Sequence, residues 1–276
     1  MTSITESRLT SRLGALAERG EKALGMFVTS GFPDLDATSD VLRAIDAGGA
    51  DFIELGMPFS DPLAEGVPIQ RSSARALAAG VTMERTLAYA RAFTQDSETP
   101  LLLMGYGNPV MQYGISNFFR DARSSGVQGV ILPDVLPDPD SPFFRAASEY
   151  GVNTVCLVSP TTPDARLDFI DELSSGFVYA VSVTGVTGTD KGDADPILAY
   201  LRHVKERISR NPLLVGFGIR SADDVRSMVS AADGAIVGSA LVDLVGACWD
   251  NDAMPRDEKL ATIENFVREL KSGTRV

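Results

Sequence analysis

The sequence predicts an α/β protein, a (β/α)8 TIM barrel with an extra N-terminal helix, and three observations predict it. Short apolar runs rich in β-branched residues alternate with longer stretches of helical periodicity, and eight such runs occur. The runs are apolar on both faces, as strands of a parallel sheet covered by helices are. The chain has 276 residues, the size of one such barrel, and no low-complexity linker interrupts it, so residues 1–276 read as one domain. An open parallel sheet would share the alternation; closure accounts better for the count.

In chain order, MTSITESRLTSRLGALAERG reads as an amphipathic helix with charges throughout and lacks the apolar core of a signal peptide. The strands follow as GMFVTSG from Gly25, DFIELG from Asp51, PLLLMGYG from Pro100 and GVILPD from Gly129. The second half carries VNTVCLVSP from Val152, GFVYAVSV from Gly176, PLLVGFG from Pro212 and GAIVGSA from Gly234. Helical patterns such as DATSDVLRAIDAGGA and SADDVRSMVSAA lie between them, and PRDEKLATIENFVRELKSG closes the chain. Several strands follow a glycine suited to ending the preceding helix, as in AGGADFIEL, SSGVQGVIL and SEYGVNTV.

Composition narrows the chemistry. A net charge of −12 argues against nucleic acid or an anionic membrane as partner, although a local site in such a chain can still take an anion. No segment approaches the length of a membrane span. Cys156 and Cys248 sit among apolar neighbours without a CxxC, which fits buried thiols in a reduced, cytoplasmic setting. His203 is the single histidine and lies in AYLRHVKERI, a charged pattern that reads as a surface helix. Catalysis by Ser-His-Asp or Cys-His sets and by histidine-ligated metals is thereby disfavoured, which leaves carboxylates, Tyr or Lys for acid–base work.

In a barrel the chemistry sits at the C-terminal ends of the strands. Glu54 falls near the end of the second strand, where an inward carboxylate is expensive unless it is used. Desolvation would raise its pKa into a range suited to proton transfer. The competing reading has Glu54 facing outward in a salt bridge. The long loop MPFSDPLAEGVPIQ follows, with Asp61 and Glu65, and can fold over a ligand. Gly218 in GFGIRSADD and Gly238-Ser239 in IVGSALVDLV end strands seven and eight, where barrels often hold phosphate on backbone amides. The Gly185–Gly188 loop after strand six offers a third backbone cradle. Tyr179 lies inside strand six and needs a partner for its hydroxyl, which a nearby catalytic carboxylate would supply. Phe27, Met104, Tyr106 and Phe217 suit a flat apolar substrate portion, with plain barrel packing as the alternative for each. The residues thus point to a barrel enzyme acting on a small, phosphorylated, partly apolar substrate.

At these positions the sequence resembles the tryptophan synthase alpha chain family. ELGMPFSDPLAEG with the following IQ is a close variant of the family signature, supported in order by FVTSGFPD, YGNP, the GVTG loop, GFGI and VGSA, from about Arg8 to the last helix. The resemblance implies a lyase that splits indole-3-glycerol phosphate into indole and glyceraldehyde 3-phosphate by a retro-aldol reaction in L-tryptophan biosynthesis. It implies that Glu54 is the catalytic glutamate, that Glu65 holds the indole N–H, and that Tyr179 supports Glu54. It places Phe27, Met104 and Phe217 at or beside the indole pocket, and Gly188, Gly218, Gly238 and Ser239 at the phosphate. It further implies a beta-subunit partner in a tetramer of two alpha and two beta chains. Pyridoxal phosphate would belong to that partner, leaving this chain without a cofactor. The docking face would be the rim near Asp61, Pro62 and NPVMQYG from Asn108.

The chain departs from the family pattern in three places. Glu65 stands where Asp is usual, Val67 where Pro is common, and the loop after strand six has Lys191 but lacks the arginine often seen there. Another phosphate-binding barrel, such as an isomerase, would share the glycine loops but not ELGMPFSDPLAEG. A stand-alone indole-releasing lyase would differ only in partner binding. A non-catalytic activator of its partner would have no use for Glu54, Tyr179 and the phosphate loops.

Overall fold

Helix α1 (Arg8–Glu18) precedes eight parallel strands that pair in sequence order and close β8 onto β1. The strands are β1 (Ala23–Thr29), β2 (Phe52–Gly56), β3 (Leu101–Met104), β4 (Gly129–Ile131), β5 (Asn153–Val158), β6 (Val178–Ala180), β7 (Leu213–Val215) and β8 (Gly234–Val237). Outside them run α2 (Thr38–Ala47), α3 (Val67–Ala78), α4 (Met83–Asp96), α5 (Gly107–Tyr113), α6 (Ile115–Ser124) and α7 (Pro142–Tyr150). The ring is completed by α8 (Asp164–Leu173), α9 (Ala194–Arg207), α10 (Ala222–Val229), α11 (Ser239–Asp250) and α12 (Arg256–Ser272). This computed structural model describes residues 7–62, 65–181, 194–216 and 218–275. The barrel is therefore closed, as the eight strand patterns predict.

Register decides what points inward. Parallel pairing sets Phe27, Glu54 and Leu102 side by side on β1, β2 and β3, and Leu157, Tyr179 and Leu214 side by side on β5, β6 and β7. Residues level with one another in a parallel sheet share a face. That face is the barrel interior, where Ala23, Phe52, Leu102, Ile131, Val155, Phe177, Tyr179, Leu214 and Ile236 pack together. The ring centroids of Phe52 and Phe177 lie 5.4 Å apart, and burying each such ring contributes roughly 1.5–3 kcal/mol. The space is shared with glycine: a Cβ on Gly25 would stand 2.3 Å from the Phe52 ring. The other strand face packs against the helices in a larger apolar layer that includes Val28, Leu55, Leu103, Phe118 and Phe119.

The foot of the barrel is plugged by α1. Its apolar stripe, Leu9, Leu13 and Leu16, is buried against the interior layer. Ser7 starts the helix by accepting the Thr10 N–H, and also accepts from the Asn153 side chain at 2.8 Å. Beside the plug, the buried Asp51 accepts the Leu24 N–H at 2.8 Å and pairs with Arg12 at 3.5 Å and with Lys271 of α12. This one carboxylate therefore ties together α1, β1, β2 and the last helix.

Most of NPVMQYG and the last four residues of MPFSDPLAEGVPIQ, residues 67–70, are helical. NPVMQYG lies largely in α5, because the Gly107 N–H at its start is accepted by the Asp134 carboxylate at 2.9 Å, a contact between residues far apart in sequence. Helix α3 begins at Val67, so the long loop after β2 ends at Gly66. Both cysteines are buried, and His203 is exposed, 2.9 Å from Asp164, as expected of a surface helix. Among the described residues, no helix is long and apolar enough to cross a membrane.

Candidate active site

A cavity of about 490 Å³ opens at the C-terminal ends of the strands. Its walls include Phe27, Glu54, Glu65, Met104, Tyr179 and Gly238, which brings together positions chosen from six different segments of the sequence. The size suits one small organic ligand. Gly218 and Ser239 also line it. Gly188, Phe217, Lys191 and the Gly185–Gly188 loop lie outside the described residues.

Glu54 is fully buried and points into this cavity, which rules out the outward, salt-bridged alternative. Neither carboxylate oxygen has a hydrogen-bond partner among the described residues. Burial alone pushes its pKa up to about 8, so at neutral pH the group is mostly a carboxylic acid able to give up a proton. Two glycines make its surroundings possible. A Cβ on Gly56 would meet the Phe27 ring at 2.5 Å, so the ring occupies its place in the cavity wall only because this position is bare. A Cβ on Gly216 would stand 2.2 Å from the Tyr179 hydroxyl oxygen.

Tyr179 is 7% exposed, and its pKa is raised well above the ordinary phenol value, by burial first and by the charge of Glu54 second. The hydroxyl is therefore near Glu54, but the expected hydrogen bond between them is not formed: both Glu54 oxygens stay unpartnered. The hydroxyl rests against Gly216, just past the end of β7, leaving Glu54 facing open cavity instead of a protein donor.

Glu65 enters from the loop before α3. The Gln70 side chain donates to its backbone carbonyl at 2.9 Å and so ties the loop end to the helix. One of its carboxylate oxygens is buried without a partner, and burial pushes its pKa up to about 7. Helix α3 is held against the barrel by a 2.6 Å hydrogen bond between the Ser72 and Thr29 hydroxyls. Asp61 and Pro62, in the same loop, do not line the cavity; Asp61 is exposed and contacts Ser60.

Opposite the acids, two helices begin at the rim with different starts. Helix α10 is sealed by its own capping box, in which Ser221 and Asp224 satisfy each other's backbone amides. Helix α11 begins after Gly238 with no side-chain cap, and Gly238, Ser239 and Ala240 all line the cavity. Its first N–H groups and the positive end of its dipole are therefore available to an anion. Gly218, at φ +66°, turns the chain in the left-handed region that glycine tolerates.

The strand-five end was missed by sequence reasoning. Leu157, Ser159 and Thr162 line the cavity, and Ser159 and Thr162 bond to each other, so the SPTT segment makes a turn beside the site. Its Ser, Pro and Thr content was the available signal. Ile69 and Ile236 add apolar wall that resembles ordinary core in sequence.

The known proteins this chain resembles agree with one another. A family model described as tryptophan synthase alpha chain matches residues 13–275. A tryptophan synthase alpha chain from Geotalea uraniireducens is 42% identical over 269 residues, covering 98% of each chain. Among solved structures, tryptophan synthase subunit alpha from Legionella pneumophila superposes with a TM-score of 0.90 at 32% identity, covering 98% of this chain and 99% of that one. A chain of tryptophan synthase from M. tuberculosis, in an aminoacrylate-bound form, gives 0.84 at 32% identity, covering 98% of this chain and 100% of that one.

Proposed function

The chain belongs to the tryptophan synthase alpha chain family, and from that premise we propose how its cavity carries out the family's reaction. The chain is an enzyme subunit of tryptophan biosynthesis, a lyase that cleaves indole-3-glycerol phosphate to indole and glyceraldehyde 3-phosphate. In our reading Glu54 is the proton shuttle. Its neutral carboxyl protonates indole C3, and the resulting carboxylate takes the proton of the secondary hydroxyl on the glycerol chain. The bond between C3 and that carbon breaks, its electrons return to the ring, and the former alcohol becomes the aldehyde. The proton given is regained, so Glu54 ends as it began. Glu65, ionised, accepts the indole N–H and offsets the charge that develops on the ring. Tyr179 limits where the Glu54 side chain can swing. Phe27 and Met104 flank the indole, while Gly218, Gly238 and Ser239 receive the phosphate.

A single observation carries this reading: Glu54, buried with both oxygens unpartnered, and Glu65, with one buried and unpartnered oxygen, share a cavity with an uncapped helix start. The substrate offers its indole N–H and the hydroxyl of the reacting carbon to the two acids, and its phosphate to the helix start. Glu65 keeps the charge of the usual Asp with one more methylene, and its buried oxygen supports the same role. The measurement is indole release from indole-3-glycerol phosphate by Glu54→Gln. We expect a loss of about a thousandfold or more, in the upper range for an acid–base group; unchanged release would remove Glu54 from the mechanism.

The family also implies a beta-subunit partner. We propose a tetramer of two alpha and two beta chains, with pyridoxal phosphate held by the partner, none in this chain, and a cytoplasmic setting. The docking face would be the rim of Asp61, Pro62 and α5. Met111 on α5 and Leu136, beside the Asp134 that caps it, are 55% and 78% exposed, an apolar display that favours a protein partner there. The whole of residues 1–276 would act as one domain in that assembly.

A further inference from the structure

We propose that Arg220 is a specificity-determining residue that neutralises the phosphate group of the substrate, an assignment that rests on the cavity being the site of indole-3-glycerol phosphate cleavage. The described residues that line the cavity include two carboxylates, Glu54 and Glu65, and one cation, Arg220. With Glu65 ionised and a phosphate dianion bound, backbone dipoles alone would leave the cavity strongly negative. A helix start offers about half a positive charge.

Arg220 is placed and unoccupied for this task. It follows Gly218, whose left-handed turn bends the β7 end, and Ile219, which is buried at 5% exposure and anchors the segment. Arg220 itself is exposed and lines the cavity. Its acidic neighbours are engaged elsewhere. Asp224 accepts the backbone N–H groups of Arg220 and Ser221, both at 3.0 Å, and Asp223 pairs with Arg226. Among the described residues the Arg220 guanidinium makes no ion pair. The contrast between the two helix starts supplies the remaining step. Helix α11 leaves its amides open, whereas α10 consumes its own in the capping box, so the β7 side offers the anion a side chain instead of backbone. A guanidinium can bind two phosphate oxygens at once with charge-assisted hydrogen bonds, which an ammonium cannot match.

The test uses the full chain with Arg220→Gln and Arg220→Lys, after thermal melts show both folded. Binding is measured for glycerol 3-phosphate, which carries the anion alone, and for indole, which carries the ring alone. We expect Arg220→Gln to bind glycerol 3-phosphate about tenfold more weakly, as loss of one charge-assisted contact implies. Arg220→Lys should fall between, and indole affinity should stay within twofold of the parent (about measurement error). For indole-3-glycerol phosphate the loss should fall on KM much more than on kcat, and added salt should weaken the variant less than the parent. Equal glycerol 3-phosphate affinity in Arg220→Gln and the parent overturns the Arg220 assignment alone. Failure of the parent itself to bind glycerol 3-phosphate overturns both this assignment and the functional reading beneath it.

Discussion

Two buried acids lie three positions apart at β2, Asp51 at the foot of the barrel and Glu54 toward its mouth, and the protein treats them in opposite ways. Asp51 has a backbone donor and two cations, so its charge holds α1, β1, β2 and α12 in place. Glu54 is as deeply buried but has no partner for either oxygen. Burial of a polar group is tolerated when its hydrogen bonds are made, and an unmade set is a standing cost. Asp51, at the foot, has its hydrogen bonds made and serves the fold; Glu54, at the mouth, is left unsatisfied and waits for a ligand.

The sharpest way to break that comparison is to measure what Glu54 does to stability as well as activity. Its folded pKa of about 8 lies far above the ordinary 4.5, so between those values the native state holds a proton that the unfolded chain has released. The group's contribution to stability is fully present below about pH 4.5 and is lost as pH rises through 8, by an amount on the order of a few kcal/mol. Glu54→Gln, inactive in indole release, should therefore melt at a higher temperature than the parent at pH 8, with the gap closing toward pH 5. Equal melting at both pH values would mean Glu54 is not the isolated buried acid described here.

Asp51→Ala should do the reverse. Removing it strands Lys271 and the Leu24 N–H, and breaking a buried pair costs about 3–5 kcal/mol. Denaturant titration should show that loss while kcat, measured well below the melting point, stays near the parent value. A large fall in kcat with little change in stability would erase the division between foot and mouth.

A smaller effect separates the two acids of the mouth. Glu65 must be ionised and Glu54 protonated, so kcat/KM should rise through about pH 7 and fall above about pH 8. Because both acids line one cavity, these limbs belong to the pair. Glu65→Gln should flatten the rise near pH 7 while the fall near 8 remains; persistence of the acidic limb would assign it to another group. The smallest effect lies at the foot: Ser7→Ala removes the α1 cap and the contact with Asn153, for about 1 kcal/mol of stability and no change in indole release. A change in release there would show that the plug reaches the chemistry.

Much of this was legible in the sequence, for reasons that differ by residue. The strands were visible because apolar runs and glycine stops are local; their number favoured closure over an open sheet, and the pairing of β8 with β1 decided it. Glu54, Tyr179 and Gly238 could be chosen because each interrupts or ends an apolar strand. Ser159, Thr162 and Gly216 were harder, since a turn residue and a strand-end glycine look the same whether or not a cavity lies beside them. Helix α5 was hidden because its cap, Asp134, comes from the next βα unit.

The sequence by itself determined the alternation of strand and helix, the barrel's size, the presence of a single histidine, and a shortlist of acids and glycines at strand ends. Each of these depends on residue type and short-range periodicity, which the chain carries wherever it folds. Only the tertiary structure decided that Asp51 is paired and Glu54 is not, that Tyr179 rests against Gly216, that α10 seals its amides while α11 exposes them, and that Arg220 faces the cavity. Those facts depend on which groups meet across the barrel. A side chain's pKa, its available hydrogen bonds and its use in catalysis are set by such neighbours far more than by adjacent residues in the chain.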